Sequence, residues 1–197
     1  MIHTRLLAIT LLSRRKSCFF TGILLSFLLL GCSTKYSIES HRYAEYRGEI
    51  NQHIRLVRAQ EGRIFQILTQ EEAFQGICPK GVVVTFKPSA PYGVGTLIET
   101  RIMHIFNLVW DSRVEEVLPD RKIRIRFLNG FFAGGTEIWE LESVGEYTQV
   151  SHTMIVEPKG SLRKLAWVLK VRSKHNNIVE ALLNNLERSL GNTLLDE

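Results

Sequence analysis

The chain of 197 residues has few cysteines, no acidic residue before Glu39 and none of the common catalytic signatures. Its three cysteines are Cys18, Cys32 and Cys78. The apolar run near the start, Cys18 to Leu30, has 13 residues. At ~1.5 Å per residue it covers about 20 Å of a hydrocarbon core about 30 Å thick, too little to span comfortably. Gly130 to Gly135 has the glycine spacing of a phosphate loop, but Thr136 stands where the lysine must be. No Gly-x-Ser-x-Gly elbow and no His-Glu-x-x-His pair occurs. His41, His53, His104, His152 and His175 show no paired metal spacing. Cys78, followed by Pro79 and Lys80, has no base visible in the sequence, and its default role is a lone buried thiol.

What is present begins with an ordered leader. Arg14, Arg15 and Lys16 precede the apolar run, which ends on the small residues Gly31 and Cys32. A positive start, a short apolar middle and a small-residue end make a secretory signal peptide. Ser13-Arg14-Arg15 lacks the phenylalanine of a twin-arginine signal, Ser17 standing in its place. Leu29-Leu30-Gly31-Cys32 resembles the bacterial lipobox. That resemblance implies cleavage before Cys32 and a diacylglycerol on its sulfur, hence a chain anchored to the cell envelope by its N-terminal lipid. Ser33 rather than aspartate after the cysteine implies, for a Gram-negative host, the outer membrane facing the periplasm. Cleavage removes four of the 25 basic residues and leaves 21 against 20 acidic, so the basic character belongs to the leader. Global charge then gives no case for nucleic acid as a partner. With Cys18 removed and Cys32 lipidated, Cys78 has no intrachain disulfide partner and the fold stands on its own core.

The expected organisation is a leader over 1–31, a polar lipidated tether over 32–48, one domain over 49–191 and a tail over 192–197. Glu49 to Arg58 reads as a strand, and "EGRIFQILTQ" as a short helix with Ile64, Phe65 and Leu68 on one stripe. A second helical turn, Glu71 to Gln75, stops at Gly76 and Pro79. Strands follow at Val82–Lys87, near Thr96–Phe106, Leu108–Val117, in "KIRIRF", in "TEIWELES" and in "YTQVSHTMIVE". Their short connections predict antiparallel neighbours. Ser161 to Leu190 has neither glycine nor proline, with Ser161 placed to cap and Gly191 placed to stop a helix about 45 Å long. Its expected stripe runs Leu162, Leu165, Ala166, Leu169, Val179, Leu183, Leu186 and Leu190, broken by Arg172, Ser173 and Asn176. The fold class is α+β: a curved antiparallel sheet of about seven strands on a long C-terminal helix.

This order resembles the helix-grip fold of the SRPBCC superfamily, which includes START lipid-binding domains, polyketide cyclases and pollen allergens. Three phrases carry the resemblance: "IRLVRAQEGRIFQILT", "YGVGT", and the stretch from "FLNGFFAGGTEIWELES" to the Pro-Lys-Gly at 158–160. It covers roughly residues 49–190 and implies a cavity between sheet and helix, sized for a lipid, polyketide, sterol or quinone. No cofactor and no metal are implied.

Alternation places Thr148, Val150, His152, Met154 and Val156 on one face, Trp139 with Leu141, and Trp110 with Leu108 and Val114. The expected ligand-binding set is Trp110, Trp139, Val150, His152, Met154 and Asn176. His152 orients a ligand's polar end, acts as an acid/base group, or is a core histidine bonded to a carbonyl. No other residue is a catalytic candidate. The break in the helix stripe reads as polar contacts in the cavity or as a rotation of the buried face onto Val168, Val171, Ile178 and Leu182. Lys122, Arg124 and Arg126 form a row that meets anionic headgroups or pairs across strands with Glu140 and Glu142. The expected function is binding of a hydrophobic small molecule or lipid by an anchored protein. The alternatives are a cyclase- or aromatase-like enzyme and a filled docking domain.

Overall fold

A computed structural model describes residues 40–103 and 108–193. The leader, Cys32 and His104 lie outside the described residues. Seven strands form one antiparallel sheet: β1 (Glu49–Val57), β2 (Val82–Lys87), β3 (Leu97–Ile102), β4 (Leu108–Leu118), β5 (Lys122–Phe127), β6 (Thr136–Val144) and β7 (Tyr147–Val156). Their order is β1-β7-β6-β5-β4-β3-β2. From β2 to β7 every strand pairs with its neighbour in sequence, as short turns require; β1 then closes on β7. Between β1 and β2 lie α1 (Glu61–Thr69) and α2 (Glu71–Ile77). This is the helix-grip arrangement.

Period-two alternation produces the concave face. Ile123, Ile125 and Phe127 of β5 are buried, as are Trp139 and Leu141 of β6 and Val150 and Met154 of β7. Ile64 and Leu68 of α1 cover one end of this face, with Phe65 half-buried beside them. In β4 the register shifts between Val114 and Glu116, which brings Val117 opposite Ile123 and keeps the apolar side inward. Gly130, in the connection after β5, sits at φ 74°, and a Cβ there would meet Trp110 Cβ at 2.8 Å. Only glycine allows the connection to close over Trp110.

The long C-terminal helix departs from its expected stripe. It consists of α3 (Ser161–Ala166), a π turn (Trp167–Val171) and α4 (Arg172–Thr193), and it runs past Gly191, which does not stop it. In α4, Val179, Leu183, Leu186 and Leu190 are buried as expected. Leu162, Leu165 and Leu169 are exposed. The π turn is the physical reason: i→i+5 bonding inserts extra arc, so residues before it no longer share a face with those after it. Trp167 is the buried anchor of the first half, packing on Phe132 and donating Nε1–H to Glu49 Oε2 at 2.9 Å.

The packed chain also reaches back beyond the expected boundary at residue 49. After a short 3-10 turn at Ser40–Tyr43, Tyr43 is buried against Ile138 and Ile155 on the convex side of the sheet. Its hydroxyl donates to Glu140 Oε2 at 2.7 Å, accepts from Gln52 Nε2 at 3.2 Å and contacts Thr153 Oγ1 at 3.2 Å. Burial raises the Tyr43 pKa, so the hydroxyl stays protonated and able to donate. Arg42 takes the other oxygen of Glu140 at 3.2 Å. The basic row of β5 therefore finds other acids. Lys122 meets Glu116 at 3.2 Å, and Arg124 meets Glu115 at 2.9 Å and Glu116 at 3.0 Å, on β4 rather than β6.

Tyr43→Ala removes a buried ring and leaves Glu140, Gln52 and Thr153 without their shared hydroxyl. The expected loss is about 3 kcal/mol of unfolding free energy. Urea unfolding of the variant measures it, and an unchanged midpoint would contradict the packing of this segment on the sheet.

Candidate functional site

Between the concave face and the helix lies a cavity of about 280 Å³. Trp139, His152 and Met154 form its floor on β6 and β7, with Trp110 and Thr100 beside them on β4 and β3. Ile178, Val179 and Leu182 of α4 roof it, and Phe74 and Cys78 close one side. The exposed side chains Lys170 and Lys174 stand at its rim. Apolar groups make almost the whole wall.

Four of the six residues expected from sequence are brought together here: Trp110, Trp139, His152 and Met154. Val150 and Asn176 do not line the cavity. Val150 shares the inner face but lies further along β7, sealed in the core where Thr148 donates to the Ala59 carbonyl at 2.6 Å. Asn176 turns toward β1, where its Oδ1 accepts from Asn51 Nδ2 at 3.0 Å, while its neighbours His175, Ile178 and Val179 face inward.

The polar corner is built on the β6–β7 register. Trp139 is paired with His152, and Glu137 with Met154. Glu137 Oε1 accepts from Trp139 Nε1–H at 2.8 Å and from His152 Nε2 at 3.1 Å. The Trp139 ring also meets His152 edge-on, centroids 4.5 Å apart. The other ring nitrogen of His152, Nδ1, is buried and has no partner among the described residues.

Two further histidines converge on this corner. The His53, His152 and His175 ring centroids lie 6.4, 6.1 and 5.8 Å apart pairwise. His53 links the corner to the surface through Glu180 Oε1 at 2.6 Å and Asn51 Oδ1 at 3.0 Å. Among the described residues no group of His, Cys, Asp and Glu is placed to hold a metal ion.

Glu137, His53 and His175 were not among the residues expected from sequence. Glu137 carried a signal: it has the parity of Trp139 and Leu141, an acid on an otherwise apolar face. His53 and His175 carried none, because only the closure of β1 on β7 and the phase of α4 bring them to His152.

Burial, with a smaller contribution from the neighbouring His152 and His53, pushes the His175 pKa down to about 3, so the ring is neutral in the fold. Burial likewise pushes the Cys78 thiol up to about 12, with the Glu137 charge adding to it. Cys78 is thus a neutral wall group and not a thiolate nucleophile. The unfolded chain binds a proton at His175 near pH 6.5 and the fold only near pH 3. Stability therefore falls as pH drops through that interval, by up to about 1.4 kcal/mol per pH unit. Denaturant unfolding at about pH 7.5 and about pH 5.5 is expected to lose about 1 kcal/mol more in the native chain than in His175→Gln. Equal losses would show that His175 is not held neutral.

No protein-family model and no curated protein matches the chain. Solved structures do. TTHA0849 from Thermus thermophilus is similar with a TM-score of 0.59 at 20% identity, over 71% of this chain and 95% of that one. The KanY protein gives 0.59 at 12% identity, over 74% and 99%. Aha1 from Colwellia psychrerythraea, solved as a dimer, gives 0.54 at 16% identity, over 72% and 96%. Likeness at such identity carries the fold and not the activity.

Proposed function

We propose that the protein is an envelope lipoprotein, anchored through Cys32, that binds a hydrophobic small molecule or one end of a lipid in its helix-grip cavity. The observation that carries this reading is an almost wholly apolar cavity with one polar corner, the usual composition of a small-molecule site. Its volume, about 280 Å³, stands at the small end of ligand pockets, which run from roughly 300 to 1,000 Å³. That suits a ring system or a single short chain and is too small for a whole two-chain lipid. Glu137 keeps accessible surface in the cavity. A hydroxyl or other donor at the ligand's polar end therefore suits the corner, and a free carboxylate is repelled. Anchoring would keep the cavity beside the bilayer from which such a ligand is drawn.

The Glu137–His152 pair favours a second reading. A carboxylate that fixes the imidazole tautomer is an arrangement used in acid/base catalysis, which would make the bound molecule a substrate. His152→Ala that abolishes turnover and spares binding would support it.

Native mass spectrometry of the protein from its own envelope tests the binding reading. A hydrophobic mass is expected to co-purify with the native chain. Val179→Phe, which fills the roof at a cost of about 1–3 kcal/mol, is expected to lower its occupancy roughly tenfold while still unfolding cooperatively. A clean apo mass, persisting after incubation with envelope lipids, would move the protein to a filled docking domain.

A further inference from the structure

Leu162, Leu165, Val168 and Leu169 are 82%, 55%, 63% and 71% exposed. They fall within eight consecutive residues at spacings that put them on one side of α3 and the π turn. From Pro158 to Val179 the chain has no acidic residue and six basic ones, Lys159, Arg163, Lys164, Lys170, Arg172 and Lys174. Arg172 is paired with Glu49 at 2.8 Å. Lys159, Arg163, Lys164 and Lys174 form no ion pair among the described residues. Only Trp167 of residues 161–170 is fully buried, so this part of the helix stands out from the body with its apolar side uncovered.

We propose that the segment Ser161–Lys174 docks on an anionic lipid bilayer surface, its leucines entering the interface and its cations meeting the headgroups. A helix with an apolar side and a basic polar side, too short and too charged to span, lies in the plane of the interface. Charge complementarity selects the bilayer over other occupants. A second copy of the chain would bring the same cations against this face. The N-terminal segment before Glu39 has basic residues and no acid, so it does not complement the face either. An anionic headgroup layer answers Lys159, Arg163, Lys164 and Lys174 at once.

The docked side adjoins the cavity rim, since Ala166, Lys170 and Lys174 belong both to this segment and to the cavity wall. The contact needs neither the lipid at Cys32 nor a particular cavity ligand. It sets orientation, with the mouth of the cavity at the membrane.

Segment-resolved hydrogen exchange of the full chain tests this, because it reads residues 161–174 separately from any insertion of the N-terminus. Vesicles containing phosphatidylglycerol are expected to slow exchange in this segment roughly fivefold relative to phosphatidylcholine vesicles. Leu165→Gln with Leu169→Gln, or Arg163→Gln with Lys164→Gln, should abolish the slowing and leave β7 unchanged. Four exposed side chains are altered there, so folding is not at stake. No slowing in vesicle-bound protein would overturn the proposal, as would equal slowing on neutral vesicles. Slowing that grows with protein concentration in the absence of vesicles would give the face to a second copy and overturn it too.

Discussion

The structure depends on a helix that the sheet grips at one end only. Val179, Leu183, Leu186 and Leu190 are buried on the concave face, and α1 and α2 close the same end. Toward its N-terminus the helix meets the π turn, where Trp167 is the fully buried anchor. Interiors pack to near-crystal density where side chains interdigitate. Space is left where the helix face stops matching the sheet, between Ile178 and the floor at Trp139. Buried leucines stabilise one half of the helix while its other half is free to serve the site.

The polar corner depends on a second constraint, the pairing of β6 with β7. Because side chains alternate, a slip of β6 by one residue would carry Glu137 and Trp139 to the convex side and leave His152 behind on the concave one. In register, one carboxylate oxygen serves both the indole and the imidazole. Glu137 is then a partnered carboxylate on an apolar wall, where an unpartnered one would be costly. The neutral His175 beside it adds no charge to the corner. The proposed preference for a donor group on the ligand accordingly rests on the carboxylate of Glu137.

Much of the fold was legible because its signals are local. "KIRIRF" alternates without interruption, the turns are marked by glycine or Pro-Asp, and Ser161 opens a stretch without breakers. Trp110, Trp139, His152 and Met154 reached the cavity by parity alone. The misses have a common physical cause, which is that they depend on tertiary closure. Val150 has the right parity but lies too far along β7. Asn176 interrupts the apolar stripe, yet the helix phase turns it to Asn51. Tyr43 sits in a polar stretch that reads as tether, and only the convex patch of Ile138 and Ile155 shows why it is drawn in. The π turn leaves no mark on hydrophobic spacing, so Leu162, Leu165 and Leu169 looked continuous with Leu183 and Leu186.

That last miss ties the site to the surface. A helix without the π turn would keep the leucines of both halves in one phase, and the face before the turn would be committed to the sheet. With the extra arc, the turn lifts that half away and rotates its apolar side outward. One backbone irregularity thus accompanies the change from buried leucines after the turn to exposed ones before it. In water alone, a cluster of large exposed apolar side chains gains nothing and favours aggregation. Beside an anionic bilayer the same cluster removes apolar area from water, and the basic residues around it lose their mutual repulsion to the headgroups. The segment that carries the exposed face also supplies Ala166, Lys170 and Lys174 to the cavity wall, so a contact made by that face would act on the mouth through covalently continuous backbone. If the proposed contact forms, access to the cavity and contact with the bilayer both depend on the position of one helical segment.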